Sequence, residues 1–216
     1  MDTASFSARL KHLGAEIRDL YTFDAVPWVV GYSGGKDSTA TLALIWWAVH
    51  QLPPEERTKP IHVITTDTLV EQPLVAAWVR SSHAHIREAA AAQDMPIVPH
   101  MLIPAIQETF WVNLIGRGYP APRHTFRWCT QRMKIQPAAR FVREMVTKSG
   151  EVIMALGTRK AESSNRARSM NAREAGRRRD HLSPNPGLPN SLIYSPIEDW
   201  STDEVWMYLM QVQNPW

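Results

Sequence analysis

Val29-Val30-Gly31-Tyr32-Ser33-Gly34-Gly35-Lys36-Asp37-Ser38-Thr39-Ala40 changes character twice within a few residues. The apolar run Trp28 to Val30 reads as a short buried strand, which breaks at Ser33-Gly34-Gly35 and restarts as a helix at Asp37-Ser38. Two adjacent glycines at such a turn allow backbone angles closed to other residues and let an anion approach bare amides. The helix start adds free N–H groups and the positive end of the dipole, so the turn suits a phosphate. Lys36 adds a mobile positive charge, and Ser33 and Ser38 add hydroxyls. The Walker pattern G-x4-G-K-[ST] is not met. Three residues separate Gly31 from Gly35, and Asp37 follows Lys36. An acidic residue there repels phosphate unless a divalent cation lies between them. The loop therefore reads as one that holds metal–pyrophosphate, with Mg²⁺ near Asp37. A plain Gly-Gly turn with a solvated Lys-Asp pair explains a lone GG, but not the whole hexapeptide between strand and helix.

Apolar periodicity carries this reading along the chain. Phe6, Leu10, Leu13, Ile17 and Leu20 recur at steps of four and three, which predicts a helix from about Ser5 to Tyr21. The helix from Asp37 to about Gln51 is apolar on nearly every side, so it lies buried against a sheet. Ile61 to Thr66 reads as a second strand. Pro73 opens a long helix whose buried stripe is predicted as Leu74, Val75, Trp78, Val79, Ile86 and Ala89. Pro96 to Met101 is a third strand, Ile103 to Leu114 a helix, Ile135 to Val146 another, and Glu151 to Leu156 a fourth strand. Periodicity then disappears from Asn165 to Asn190, which predicts an Arg-rich loop or disordered segment. Ile193 to Pro196 is a last short strand, and Thr202 caps a final helix. Strands separated by helices imply an α/β fold: a mostly parallel sheet with helices on both faces. Ligands in such sheets bind beyond the carboxyl ends of the strands. Ser33 to Ser38, Asp67 to Glu71 and Gly157 to Ser163 all fall there.

Length and composition set limits. A chain of 216 residues fits a single domain, and 44% hydrophobic with 21% charged residues is ordinary for a globular protein. No apolar run is long enough to span a bilayer, and Met1 to Arg9 lacks a signal pattern, so the expected setting is cytoplasmic, with no membrane partner. One cysteine excludes an internal disulfide and an all-cysteine metal site built by this chain alone. The net charge of +3 is modest but uneven, with Arg166, Arg168, Arg173, Arg177, Arg178 and Arg179 in one short stretch. Nine tryptophans mostly sit in apolar contexts that suggest packing.

Other groups gather at the same edge. Asp67, 30 residues after Asp37, either helps hold Mg²⁺ and the nucleotide or caps the next helix. Glu71, at a helix start, is explained by the dipole alone. In Gly157-x-Arg159-x-x-Glu162-Ser163-x-x-Arg166, Gly157 permits a sharp exit from the strand, and Arg159 and Arg166 form a candidate fork around phosphate oxygens. Arg123, Arg127 and Lys134 add positive charge, each also explicable as a solvated side chain. His83 and His85, two apart on a helix, point in different directions and do not make a metal pair. Cys129 reads as a small buried hydrophobe, in a setting that leaves room for an activated thiol. The arginine cluster is either a solvated loop or a basic flap, with Arg173, Arg177, Arg178 and Arg179 as candidate contacts to DNA phosphates.

Ser33-Gly34-Gly35-Lys36-Asp37-Ser38 resembles the SGGxDS loop of the PP-loop ATP pyrophosphatases, which share the adenine nucleotide alpha hydrolase-like fold. Asp67 to Glu71, Gly157 to Arg166, and Tyr194 to Trp200 with Glu204-Val205-Trp206 are similar to motifs of the phosphoadenylylsulfate (PAPS) reductase branch. Phe110 to Arg123 with Phe126 to Thr130 looks most like the DndC group, the ATP-dependent sulfurtransferases of bacterial DNA phosphorothioation, beside SspD. The resemblance implies ATP and Mg²⁺ as cofactors and cleavage between the α and β phosphates. It places Lys36, Asp37 and Asp67 in catalysis, and Ser33 to Ser38, Gly157, Arg159, Ser163 and Arg166 around the nucleotide. It implies DNA, a cysteine desulfurase and other phosphorothioation proteins as partners. Cys129 stands where cluster-bearing relatives carry a cluster ligand. A four-cysteine iron–sulfur cluster is not expected in this chain alone, which has one cysteine. The resemblance makes Cys129 a candidate ligand in a longer parent or, as the rival reading, a persulfide carrier. A sulfonucleotide (PAPS/APS) reductase is the alternative within the branch, set against the lack of any cysteine after Cys129. A non-catalytic nucleotide-binding scaffold is the alternative outside enzymes.

Overall fold

The computed structural model describes residues 3–174, 176 and 181–216. Helix α1 (Thr3–Thr22) leads into β1 (Trp28–Gly31), α2 (Lys36–His50), β2 (Ile61–Thr66), α3 (Pro73–Ala92) and β3 (Ile97–Leu102). A short helix α4 (Trp128–Thr130) runs through a π-turn (Gln131–Ile135) into α5 (Gln136–Ser149), followed by β4 (Val152–Ala155). Then come α6 (Ser164–Glu174), β5 (Leu182–Pro184), β6 (Ser191–Tyr194) and α7 (Thr202–Gln211). The strands form one sheet in the order β3-β2-β1-β4-β6-β5. Every described pairing is parallel except that of β5 with β6. The predicted α/β fold, a mostly parallel sheet covered on both faces, is the observed one.

Alternation along β1 divides the core. Val30 and Trp28 face a large cluster with Phe6, Ile17, Leu42, Ile45 and Trp46 of α1 and α2. Val29 faces a smaller cluster with Ala139 and Val142 of α5. Because β1 is buried on both faces, its sequence is a continuous apolar run rather than an alternating one. No helix among the described residues is long and apolar enough to cross a membrane.

Three sequence expectations are corrected. Residues 165 to 190 hold a helix and a strand. The Ser163 hydroxyl accepts from the Arg166 N–H at 3.2 Å and starts α6, whose single buried apolar side chain is Met170. One anchor leaves no periodicity to read, and the three residues of β5 are too few to show alternation. The expected helix from Ile103 to Leu114 is instead a 3₁₀ turn (Ile106–Glu108) and a π-turn (Val112–Gly116). Buried Asn113 draws off two carbonyls there, donating to Gln107 O at 3.1 Å and Thr109 O at 2.8 Å. The stripe of α3 is buried only at Val79 and Ile86 among the six residues predicted for it, with Ala89 partly so. Leu74, Val75 and Trp78 are exposed, because the first turns of α3 stand beside a pocket rather than against the sheet.

Candidate nucleotide site

The strand-to-helix turn is built as its sequence suggests. Gly34 has φ +73, open to glycine at no cost, and Gly35 is the extended N-cap of α2. Ser38 Oγ donates to the Gly35 carbonyl at 2.9 Å and accepts the Ser33 N–H at 3.2 Å, while the two hydroxyls meet at 3.1 Å. These bonds fold the loop onto the start of α2, whose first N–H groups have no intrahelical acceptor. Indole Trp78 lies over the turn: a Cβ at Gly34 would come within 2.1 Å of its Cζ3.

Asp37 sits between two cations. Lys36 Nζ donates to Oδ2 and Arg159 Nε to Oδ1, both at 2.8 Å. Arg159 is 2% exposed. Its Nη1 donates to the Trp200 carbonyl at 3.0 Å and its Nη2 lies 3.4 Å from Thr202 Oγ1. Gly157 makes this approach possible, because a Cβ there would lie 2.7 Å from the Asp37 carbonyl oxygen. The β4 exit is thereby pressed against the start of α2.

A pocket of about 360 Å³ opens beside the turn, between the carboxyl ends of β1 and β2 and the start of α3. Gly31, Tyr32 and Ser33 form one wall, and Ile64, Val79 and Leu156 give it an apolar floor. Asp67, Glu71 and Lys134 are the charged groups at its lining. Asp67 accepts from the Leu69 N–H at 2.9 Å and from Arg80 at 3.0 Å. Glu71 accepts from Thr68 Oγ1 at 3.1 Å and pairs with Lys134 at 3.3 Å. Size, apolar floor and few polar groups are those of a small-molecule site.

Behind the pocket, buried His83 Nε2 meets Thr65 Oγ1 at 2.7 Å, and Thr65 donates to the Tyr32 carbonyl. Since the Thr65 proton is committed to Tyr32, His83 must present an N–H at Nε2. Burial first, then Arg87 and His100, lower the His83 pKa to about 4. Half-buried His62 is also lowered to about 4, by burial first and then by His100 and Lys148.

A model of the phosphoadenosine phosphosulfate reductase domain matches residues 27–215. The chain belongs to this family. An uncharacterised protein of Methanocaldococcus jannaschii is 28% identical over 200 residues, covering 93% of this chain but 35% of its own length. The chain thus spans about a third of that curated relative. Among solved structures, the PAPS reductase of Candida auris in complex with phosphate superposes at a TM-score of 0.54 and 16% identity, over 98% of this chain and 87% of that one. The U34-tRNA thiolase NcsA of Methanococcus maripaludis, with its [4Fe-4S] cluster, gives 0.54 and 15%, over 95% and 63%. At such identities the likeness is one of fold, and it matches the sheet described above.

Within this PAPS reductase-type domain, Ser33, Gly34, Gly35, Lys36, Asp37 and Ser38 form one turn, joined by Gly157 and Arg159 from the β4 exit. Asp67 is at the adjoining pocket. The expected fork of Arg159 and Arg166 is not formed: Arg159 is buried and bonded to protein groups, while Arg166 pairs with Glu162 at 3.3 Å on the surface of α6. Ser163 is spent on the start of α6. Arg173 donates to Ser169 on α6, and Arg177, Arg178 and Arg179 lie outside the described residues. Cys129 is half-buried in α4. Glu71 and Lys134 are the pocket groups that sequence undervalued, since ordinary dipole and solvent readings covered each alone. His83 had no sequence signal beyond being aimed away from exposed His85.

Proposed function

We propose that this chain is an ATP pyrophosphatase that activates a DNA backbone phosphate for replacement of an oxygen by sulfur. ATP lies with its adenosine in the pocket and its phosphates along Ser33–Ser38. A non-bridging oxygen of the acceptor phosphate attacks the α-phosphorus, and the bond to the β-phosphate breaks. Pyrophosphate leaves against Lys36 and the amides at the start of α2, which offset its charge. The terminal sulfur of a persulfide, supplied by a cysteine desulfurase partner, then attacks the activated phosphorus and displaces AMP with the original oxygen. A second thiol attacks the carrier's sulfur, so that the S–S bond breaks, a disulfide forms and the phosphorothioate is released. Other phosphorothioation proteins are the expected company of such an enzyme.

The observation that carries this reading is the clamp on Asp37. Arg159 and Lys36 hold its carboxylate at the mouth of an anion-binding turn, next to a pocket of nucleoside size. Among the described residues no group of three His, Cys, Asp or Glu side chains is placed to hold a metal ion. Magnesium would arrive on the triphosphate, as it commonly does. Acceptor chemistry is tested by incubating protein, ATP labelled in the α-phosphate, and DNA. Label entering the DNA, released as AMP on adding a sulfur donor, supports the proposal; AMP formed without DNA labelling contradicts it.

The family's own description favours one second reading, a sulfonucleotide substrate at the same turn. Sulfite release from PAPS with a dithiol reductant separates it from the first.

A further inference from the structure

Residues 103–135, between β3 and α5, build a small annex beside the pocket. Its interior is aromatic: Phe110 stacks on Trp128 at 5.5 Å, and Tyr119 meets Trp128 edge-on at 5.5 Å. Trp128 Nε1 donates to the Pro120 carbonyl at 3.0 Å, and Arg132 bonds Tyr119 and Glu108. The annex is thus a built structure. Its outer face has two features that this packing does not use.

First, large rings are left in solvent. Trp111, packed edge-on against Phe110 at 5.2 Å, is 59% exposed, and Phe126 is 46% exposed. Second, the annex carries five basic side chains (Arg117, Arg123, Arg127, Arg132, Lys134) against the single acidic Glu108, more net charge than the whole chain's +3. Glu108 is already engaged by Arg117 and Arg132. Arg123 and Arg127 are exposed and make no side-chain ion pair among the described residues. They flank a tight turn closed by paired bonds between Arg123 and Phe126 at 3.2 and 3.0 Å. Arg127 immediately precedes a helical run whose Lys134 reaches the pocket, seven residues and roughly 10 Å along the axis. Basic side chains and exposed rings therefore lead toward the Ser33–Ser38 turn.

We propose that this annex is the docking platform for a single-stranded stretch of the nucleic-acid acceptor. Its phosphates lie against Arg123 and Arg127, and a base stacks on Trp111. Arginine with an exposed indole is the pairing that a single strand uses, because every base has a face to stack and every nucleotide a phosphate. A protein partner would also cover exposed rings, but two exposed arginines without an ion pair among the described residues favour a polyanion. The choice of nucleic acid rests on the function proposed above. The site itself is new to it, since the sequence put the candidate DNA contacts on Arg173, Arg177, Arg178 and Arg179.

The test is binding of a labelled oligothymidylate to the full chain without ATP, across a salt series, so that its outcome does not depend on whether ATP is cleaved. The double variant Arg123→Ser/Arg127→Ser should bind more weakly and lower the log–log salt slope by about 1.4 units, for two contacts to a single strand. Trp111→Ala should weaken binding roughly tenfold, yet leave binding of an abasic strand unchanged. Circular dichroism and melting confirm that each variant is folded. An unchanged affinity and slope in the double variant would overturn the platform. So would a Trp111→Ala loss as large for the abasic strand. Self-association abolished by Trp111→Ala, with no strand binding, would assign the face to a second copy instead.

Discussion

Arg159 Nε donates to Asp37 Oδ1 at 2.8 Å, joining two residues 122 positions apart in the chain. The bond ties the β4 exit to the first turn of α2, and the Arg159–Trp200 bond extends the tie to the segment before α7. One guanidinium thus holds three parts of the chain around the nucleotide turn. Arg159→Ala should cost about 2–4 kcal/mol, because it leaves the partly buried Asp37 carboxylate with Lys36 alone and the Trp200 carbonyl without its donor. Urea unfolding measures this, and Arg159→Lys should recover little, since a single ammonium cannot reach all three partners. Stability within about 0.5 kcal/mol of the parent, as for an ordinary surface change, would deny the tie.

Gly34 tests the turn in two separable ways. A methyl group there meets Trp78, and the backbone stands at φ +73. Gly34→Ala should destabilise the protein and weaken ATP binding. In a Trp78→Ala background the steric part disappears, leaving about 1–2 kcal/mol of backbone strain. Full rescue would mean that the turn relaxes to an ordinary conformation.

Gly157→Ala cannot be rescued in that way, because its methyl would meet backbone, the Asp37 carbonyl at 2.7 Å. We expect a loss of about 1–3 kcal/mol, as for overpacking in a tight site. ATP affinity should fall with it, since the displaced atoms belong to the turn. Calorimetric titration with a non-hydrolysable ATP analogue reads the second effect. Normal affinity in a destabilised variant would separate the β4 exit from the site.

His83 makes stability depend on acid. Its pKa falls from 6.5 to about 4 on folding, so between those values the unfolded chain binds more protons. Stability is full above pH 6.5 and declines as pH falls toward 4, by up to about 1.4 kcal/mol per unit from this group. His83→Gln can still donate to Thr65 but does not titrate. Its melting temperature should therefore depend less steeply on pH in that window than the parent's. Equal slopes would place the acid sensitivity on the His62–His100 pair instead.

Much of this was legible in the sequence because the signals are local. A strand buried on both faces is an apolar run, and a tight strand-to-helix turn favours glycine where φ is positive, so β1 and Gly34 announce themselves. What was hidden depends on distant partners. Nothing near Arg159 distinguishes a buried, saturated guanidinium from one reaching for phosphate; that follows from Asp37 and Trp200, far along the chain. Met170 alone anchors α6, and one apolar side chain makes no period. Trp78 and Leu74 fit a helical stripe, yet both are exposed where the first turns of α3 stand beside the pocket.

The most direct test of the central claim is phosphorus NMR of Mg·ATP turnover by the full chain with DNA and a persulfide donor with thiol present, compared with Lys36→Ala. The account predicts AMP and pyrophosphate as products, with the rate in Lys36→Ala lower by about a hundredfold or more, as when a charge partner of the transition state is removed. ADP and inorganic phosphate as products, or an unchanged rate in Lys36→Ala, would contradict it.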